Sequence, residues 1–412
     1  MGLVVMKFGG SSVADADKMK KVAARVIDKK KQGNRVVVVV SAPGDMTDDL
    51  IAMCEKITAT PDDRELDMLL STGEQVSIAL LSMAIKKMGQ SVISLTGPQA
   101  GIYADTTHTK ARIIKIIPTK ILKELSRRKI VVVAGFQGIN PNDDIATLGR
   151  GGSDLTAVAL AAALKADFCE IYTDVAGVYT TDPRVVADAR KIHYISYEEM
   201  LEMAGTGAQV MQGRSIEVGK KNKVDIHVRS TFSPADGTII TSEEAITSRR
   251  GAMEEVLLTA VTFDRNQVKL SVVDLPDIPG IAAKMFGALA VGGINVDMII
   301  QSAAQDKRND ISFTVSRSDL KKTQKVLGKI RKDLKAANII YDKDVAKVSI
   351  IGVGMKSHPG VAATMFTVLA DNKINIEMIS TSEIKISCII DNAAVNKAVT
   401  ALHAAFGLNK RQ

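Results

Sequence analysis

Two glycine-rich stretches carry groups that could do chemistry. KFGGSS (Lys7 to Ser12) follows a short apolar run and leads into a helical pattern. GRGGSD (Gly149 to Asp154) stands directly before the apolar run LTAVALAAAL. Glycines at a helix entrance leave main-chain N–H groups open to an anion and let a ligand approach the backbone. Lys7 adds a point charge that can reach a phosphate. Arg150 adds a planar fork suited to carboxylate or phosphate. Each stretch also has a plain structural reading. The first can be a tight strand–helix turn with a surface lysine. In the second, Asp154 can be an N-cap or first-turn carboxylate. STGEQVS (Ser71 to Ser77) puts Glu74 at the head of an apolar helix, where a ligand or only the helix dipole could use it. TDVAGVYTTDPR (Thr173 to Arg184) carries hydroxyls, two aspartates and an arginine on a loop after a strand, or is a polar surface loop.

The elements that must hold these groups read as alternating strands and helices. LVVMKF, VVVVVSA, SVISLTG, KIVVVAGFQG, CEIYTDV and VDIHVRS read as strands, and LVVMKF, VVVVVSA and KIVVVAGFQG hold continuous rather than alternating apolar runs. Such runs belong to a parallel sheet covered on both faces. Asp15 to Lys31 is helical, with Met19, Val22, Ala23, Val26 and Ile27 on one face. The pattern over residues 1–245 predicts a doubly wound α/β domain with ligands at strand C-terminal ends, where two anion sites would suit phosphoryl transfer. The motifs GxxxxGK[ST], GxGxxG, HRD, DFG and HExxH are absent. Scattered histidines give no metal-hydrolase or Ser/His/Asp pattern.

The composition changes near Thr241 to Glu255, which reads as a polar linker. Beyond it, Asp277–Ile299 aligns without gaps on Ser357–Ile379, with 12 of 23 positions identical. Each copy predicts a strand, a PG turn, a helix, two strands and a helix, an α+β unit of ferredoxin-like type. The expected domains are 265–340 and 345–412, with 253–264 adding a strand.

Bulk properties narrow the partners. A net charge of +8 is spread over short basic runs without interleaved aromatics, which favours a solvated surface over nucleic-acid binding. Three distant cysteines without CxxC spacing point to a reducing, cytoplasmic setting. The N-terminus reads as a strand rather than a signal peptide, and no apolar run approaches a membrane span.

KFGGSSVA, VVVVVSA, STGEQVS, GFQG, GRGGSDLTA and TDVAGVYTTDPR, in this order, resemble the aspartate kinases of the amino acid kinase family. The PG…IN repeats resemble the paired ACT domains of that family. The resemblance covers nearly the whole chain and implies a monofunctional member. It implies an amino acid kinase fold and ATP- and Mg²⁺-dependent phosphorylation of L-aspartate. Carried over by position, it implies catalytic roles for Lys7 and Asp154. ATP would be held by Lys7, Phe8, Gly9, Gly10, Ser11, Ser41, Thr173, Asp174, Tyr179, Asp182, Arg184 and Gln209. Thr47, Glu74, Arg150, Gly151, Gly152 and Ser153 would form the aspartate pocket. No protein metal ligand is implied. Gln209 replaces a lysine usual in the family, a loss that Arg214 could offset.

In the ACT pair, the resemblance implies effector contacts from Asp277, Gly280, Ile281, Ala282, Asn295, Val296, Asp297 and Gln301, and from Asn375, Ile376 and Glu377. Lysine, threonine or both are the implied effectors. It also implies a homo-oligomer through the ACT domains. A regulatory subunit started at Met253 would extend that assembly. The alternative reading is an amino-acid sensor with a weakened kinase domain.

Overall fold

The computed structural model describes residues 2–208, 210–250, 257–303 and 306–410, so Gln209 and Met253 lie outside the described residues. The chain divides into two compact units. The first holds most of residues 1–252. The second holds Tyr179–Arg190, Gly205–Ala208 and the region from Met253 on.

The first unit is built on an eight-stranded sheet. Its spatial order is Tyr194–Ser196, Thr238–Thr241, Ile226–Ser230, Phe168–Thr173, Leu3–Phe8, Arg35–Val40, Ile130–Ala134 and Val92–Leu95. The six strands from Ile226–Ser230 to Val92–Leu95 are parallel; the other two run the opposite way. All six residues of Leu3–Phe8 are buried, as are five valines of Arg35–Val40. β-branched side chains fill both faces of such central strands. The helix Ala16–Lys31 is capped by Asp15, whose carboxylate accepts from Lys18 N–H. It buries Met19, Val22, Ala23, Val26 and Ile27 against this sheet.

One strand read from the sequence is two. Ile130–Ala134 lies in the large sheet, whereas Gln137–Ile139 lies in a second, four-stranded sheet with Ile102–Ala104, Ile113–Ile116 and Ile145–Thr147. The break is at Gly135-Phe136, where Phe136 takes a left-handed φ of 69°. The segment read as a polar linker also has structure: Glu243–Arg250 is a helix. The helical run Asp63–Lys87 is long and apolar enough to cross a membrane by composition. It holds buried Asp67 and Glu74 and packs on the large sheet, which is the behaviour of a core helix.

The second unit contains both repeat copies. The first copy is a sheet ordered Ile299–Gln301, Arg308–Ser316, Gln267–Pro276, Asn338–Asp342, with helices Ile281–Val291 and Leu320–Leu334. The second is ordered Ala260–Asp264, Val345–Ile351, Lys385–Asp391, Met378–Thr381, with helices Val361–Asp371 and Val395–Ala405. The edge strand of the second copy therefore precedes the first copy in the chain. Alternation sets the faces: Val268, Leu270 and Val272 enter one helix-covered core, and Ala346, Val348 and Ile350 enter the other.

Candidate active site

Lys7 sits near the end of the buried first strand, and Asp154 sits in the first turn of the helix Gly152–Leu164. Lys7 Nζ lies 2.6 Å from Asp154 Oδ1, and each side chain is 11% exposed. Two left-handed glycines make the turn that presents Asp154: Gly149 at φ 77° and Gly151 at φ 73°. The close packing continues at Gly152, where a Cβ would stand 2.9 Å from both Leu148 Cβ and Phe136 Cδ2. Thr156 ties the two segments together, accepting from Phe136 N–H and donating to Gly152 O. Ser153 is buried beside Gly135. Arg150 is exposed at the tip.

The loop Gly9–Ser12 forms a single 3-10 turn. A Cβ on Gly9 would lie 3.5 Å from Lys7 Nζ, so the ammonium folds over this loop. The sequence reading left the N–H groups of both Gly9 and Gly10 open. In the structure Gly9 N–H donates to Tyr172 O at 3.3 Å, and Gly10 presses its backbone on the next strand's loop. Phe8 stacks on Tyr172, 4.7 Å between centroids, behind the loop.

Ala42 joins this loop to Glu74. A Cβ on Gly10 would come within 2.8 Å of Ala42 O. Ala42 N–H donates to Glu74 Oε1 at 3.0 Å. Glu74 is 2% exposed. Among the described residues its other oxygen, Oε2, is buried with no hydrogen-bond partner. Burial pushes the Glu74 carboxyl up to about 7, against the opposing pull of Ala42 N–H. Ser41 donates its N–H to Phe8 O, and Thr47 opens the helix Met46–Glu55.

The predicted nucleotide segment is divided. Thr173 and Asp174, joined by a 2.9 Å hydrogen bond, belong to the first unit. Tyr179, Asp182 and Arg184 belong to the second. There Arg184 clasps Asp182, donating from Nη2 at 2.7 Å, and holds that carboxyl below its usual range. Gln209 falls outside the described residues. Arg214, read as a substitute cation, instead donates to the main-chain oxygens of Leu148 and Ala111.

In the second unit, Gly280 at φ 96° caps the helix Ile281–Val291, and Asp277 accepts from Asn309 Nδ2 at 3.0 Å. Asn295, Gln301 and Asn375 are exposed, while Val296 and Ile376 are half-buried. Asp297 and Glu377, which are equivalent in the repeat, each meet a lysine of the other copy. Lys347 bonds Asp297, and Lys269 bonds Glu377 at 2.8 Å. Sequence reasoning missed both lysines. The signal was available, because each is the second residue of matching stretches, VKLSVV and AKVSII.

Among the described residues no group of three or more His, Cys, Asp or Glu side chains could hold a metal ion. Asp154 is the buried carboxylate beside Lys7, and one carboxylate suits Mg²⁺ that arrives on a nucleotide's phosphates.

Comparisons with known proteins give the family. Residues 2–230 match the model of the amino acid kinase family, and residues 270–329 and 348–406 match an ACT domain model. An aspartokinase of Mycolicibacterium smegmatis is 49% identical over 412 residues, covering 99% of this chain and 97% of that protein. An aspartate kinase of Pseudomonas putida is 48% identical over 409 residues, covering 99% and 98%. The crystal structure of E. coli aspartokinase III with aspartate and ADP superposes with a TM-score of 0.81 at 26% identity, covering 98% of this chain and 99% of that one. By its paired glycine-rich loops, its double ACT repeat and relatives alike over almost its whole length, this chain belongs to the amino acid kinase family, as a kinase of the aspartate kinase branch.

Proposed function

We propose that this kinase transfers the γ-phosphoryl group of ATP to the side-chain carboxylate of L-aspartate, giving 4-phospho-L-aspartate and ADP. The observation that carries this reading is the buried Glu74 oxygen without a partner, joined through Ala42 to the loop under Lys7. A buried unpaired carboxylate oxygen is costly, and a substrate ammonium would satisfy it.

The acceptor carboxylate has a pKa of about 3.9 and is already ionised near neutrality, so no base is needed. Its oxygen attacks the γ-phosphorus, and the bond to the β-phosphate oxygen breaks with ADP leaving. The obstacle is repulsion between two anions. Lys7 and the main-chain donors of Gly10 and Ser11 offset it, with Gly9 shaping the turn. Asp154 holds Lys7 in place and would help hold the Mg²⁺ that comes with ATP. Mg²⁺, when bound with ATP, neutralises phosphate charge. Arg150 takes the α-carboxylate of aspartate, with Thr47, Gly151, Gly152 and Ser153 around it. Thr173 and Asp174 serve the nucleotide in the first unit.

We assign the ACT pair to feedback by lysine, threonine or both, at the Asp277–Ala282 loop and the strand entrances at Asn295 and Asn375. E. coli aspartokinase III has been crystallised with lysine and aspartate. An acyl phosphate of aspartate would feed the synthesis of lysine, threonine, methionine and diaminopimelate, in the cytoplasm, from a homo-oligomer. The intact Lys7–Asp154 pair argues against a sensor with a weakened kinase domain.

The test is trapping with hydroxylamine. Aspartate, ATP and Mg²⁺ should yield aspartyl hydroxamate, and glutamate should not replace aspartate. No hydroxamate at saturating ATP overturns the reading.

A further inference from the structure

Two polar side chains outside the pocket grip the backbone on either side of the GRGGSD loop. Asp67, in the helix Asp63–Leu70, is fully buried. Its carboxylate accepts from Thr109 N–H at 3.0 Å, from the Thr147 hydroxyl and from His108 Nδ1 at 2.8 Å. Because every other neighbour donates to this carboxylate, we assign the proton to His108 Nδ1. Arg214 opens the helix Gly213–Asn222 on the other side. Its Nη1 donates to Leu148 O at 2.6 Å and its Nη2 to Ala111 O at 2.9 Å.

The strap 108–111 and the end of the strand Ile145–Thr147 are themselves joined, Ala111 N–H donating to Thr147 O. Gly149 follows at once and lies on the strap: a Cβ there would be 3.2 Å from Thr109 O. Gly151 is backed by Gln212, whose Cγ would stand 1.7 Å from a Cβ at that position. Arg150 is thus exposed between two glycines fixed from behind. Asp67 has a second connection. Its helix leads on to Glu74: Ser71 N–H donates to Asp67 O, a main-chain bond any residue here would make, and the helix carrying Glu74 starts at the next residue, so anchoring the Asp67 side chain also anchors that helix start.

We propose that Asp67 and Arg214 are positioning residues that set the distance between Glu74 and Arg150, and so the length of amino acid the pocket accepts. The proposal rests on the reading that Glu74 takes the ammonium and Arg150 the α-carboxylate of aspartate. Removing either residue frees the strap and lets Arg150 drift, without touching the phosphate loop. An error of about 1 Å in a bound group costs on the order of 100-fold in rate.

Steady-state kinetics of Asp67→Asn, Arg214→Met, Arg214→Lys and Arg150→Ala test this, with aspartate and ATP varied separately. Asp67→Asn and Arg214→Met should raise the aspartate KM by roughly tenfold or more and leave the ATP KM within about twofold. Arg214→Lys, which can hold one carbonyl, should fall between. Discrimination against glutamate should shrink in the same order. A KM does not depend on how much of the enzyme is folded, so a purely structural role would lower the rate and leave the aspartate KM alone. An unchanged aspartate KM, or equal rises for both substrates, overturns the proposal. If Arg150→Ala leaves the aspartate KM unchanged, the reading of Arg150 fails. If it raises that KM while Asp67→Asn and Arg214→Met do not, only the present inference fails.

Discussion

Each unit of the molecule buries a lysine against an aspartate, and the two pairs are finished differently. In the first unit Lys7 meets Asp154, and close by Glu74 keeps one buried oxygen with no partner among the described residues. In the second unit Lys347, 3% exposed, gives its ammonium to both Asp297 and Gly205 O, and Asp297 reaches solvent. A buried polar group with its partners in place belongs to the architecture. One left incomplete, under a glycine loop, marks where a ligand completes it. The contrast predicts that the first set governs turnover and the second governs stability.

The sharpest way to break it is at Lys7. Lys7→Met should lower kcat by roughly a thousandfold, the scale for removing one preorganised charge aimed at a transition state. The first unit should stay folded and lose no more than a few kcal/mol, the cost of leaving Asp154 buried without its partner, part of it offset by the positive end of its helix. A near-normal kcat, or loss of the fold, would show that this pair is architecture too.

Glu74 gives the next largest effect. With its carboxyl near 7, the free enzyme holds a proton there in acid, and an ammonium needs the ionised form. The kcat/KM for aspartate should therefore rise about tenfold per pH unit up to about 7 and then level off. Glu74→Gln should raise the aspartate KM roughly 30- to 100-fold, as for a lost charged hydrogen bond, and abolish that pH slope. The stability sign is opposite. A carboxyl raised from 4.5 to about 7 favours folding in acid, and that contribution is lost as pH climbs through 7. At pH 8 Glu74→Gln should thus relieve a penalty of about 3 kcal/mol, read by urea unfolding. A variant that is both inactive and less stable would place Glu74 with the finished groups.

What the sequence disclosed follows the same division. Lys7, Glu74 and Asp154 announced themselves because each stands at a glycine-rich or hydroxyl-rich helix entrance, a local feature. The repeat was legible because its identities sit at PG and IN, where turn and strand entry need them. Asp67 and Arg214 gave no local signal. Their partners lie 41 to 103 positions away in the chain, and only the fold brings them together. The break at Phe136 escaped notice because a left-handed φ on a bulky residue is imposed by the packing of Gly135 and Gly152, not by its own preference. Lys269 and Lys347 were overlooked for another reason. A lysine alternating with apolar residues reads as the solvated face of a strand, and here that face meets the other repeat.

The smallest effect tests the symmetry of the repeat itself. Lys347 with Asp297 and Lys269 with Glu377 are the same contact made twice, yet Lys347 is nearly inaccessible while both members of the other pair are 22% exposed. Solvent around Asp297 and around both members of the second pair screens them, so neither approaches the 3–5 kcal/mol of a fully buried pair. A double-mutant cycle with Lys347→Met and Asp297→Asn should give a coupling of about 1–2 kcal/mol in unfolding of the second unit. The cycle with Lys269→Met and Glu377→Gln should give about 0.5 kcal/mol. Both should leave kcat without effector within about twofold, because neither pair touches the groups assigned to transfer. Equal couplings would mean that burial of Lys347 adds nothing to the contact. A large fall in kcat from Lys347→Met would carry that lysine across the division, from the finished set into the working one.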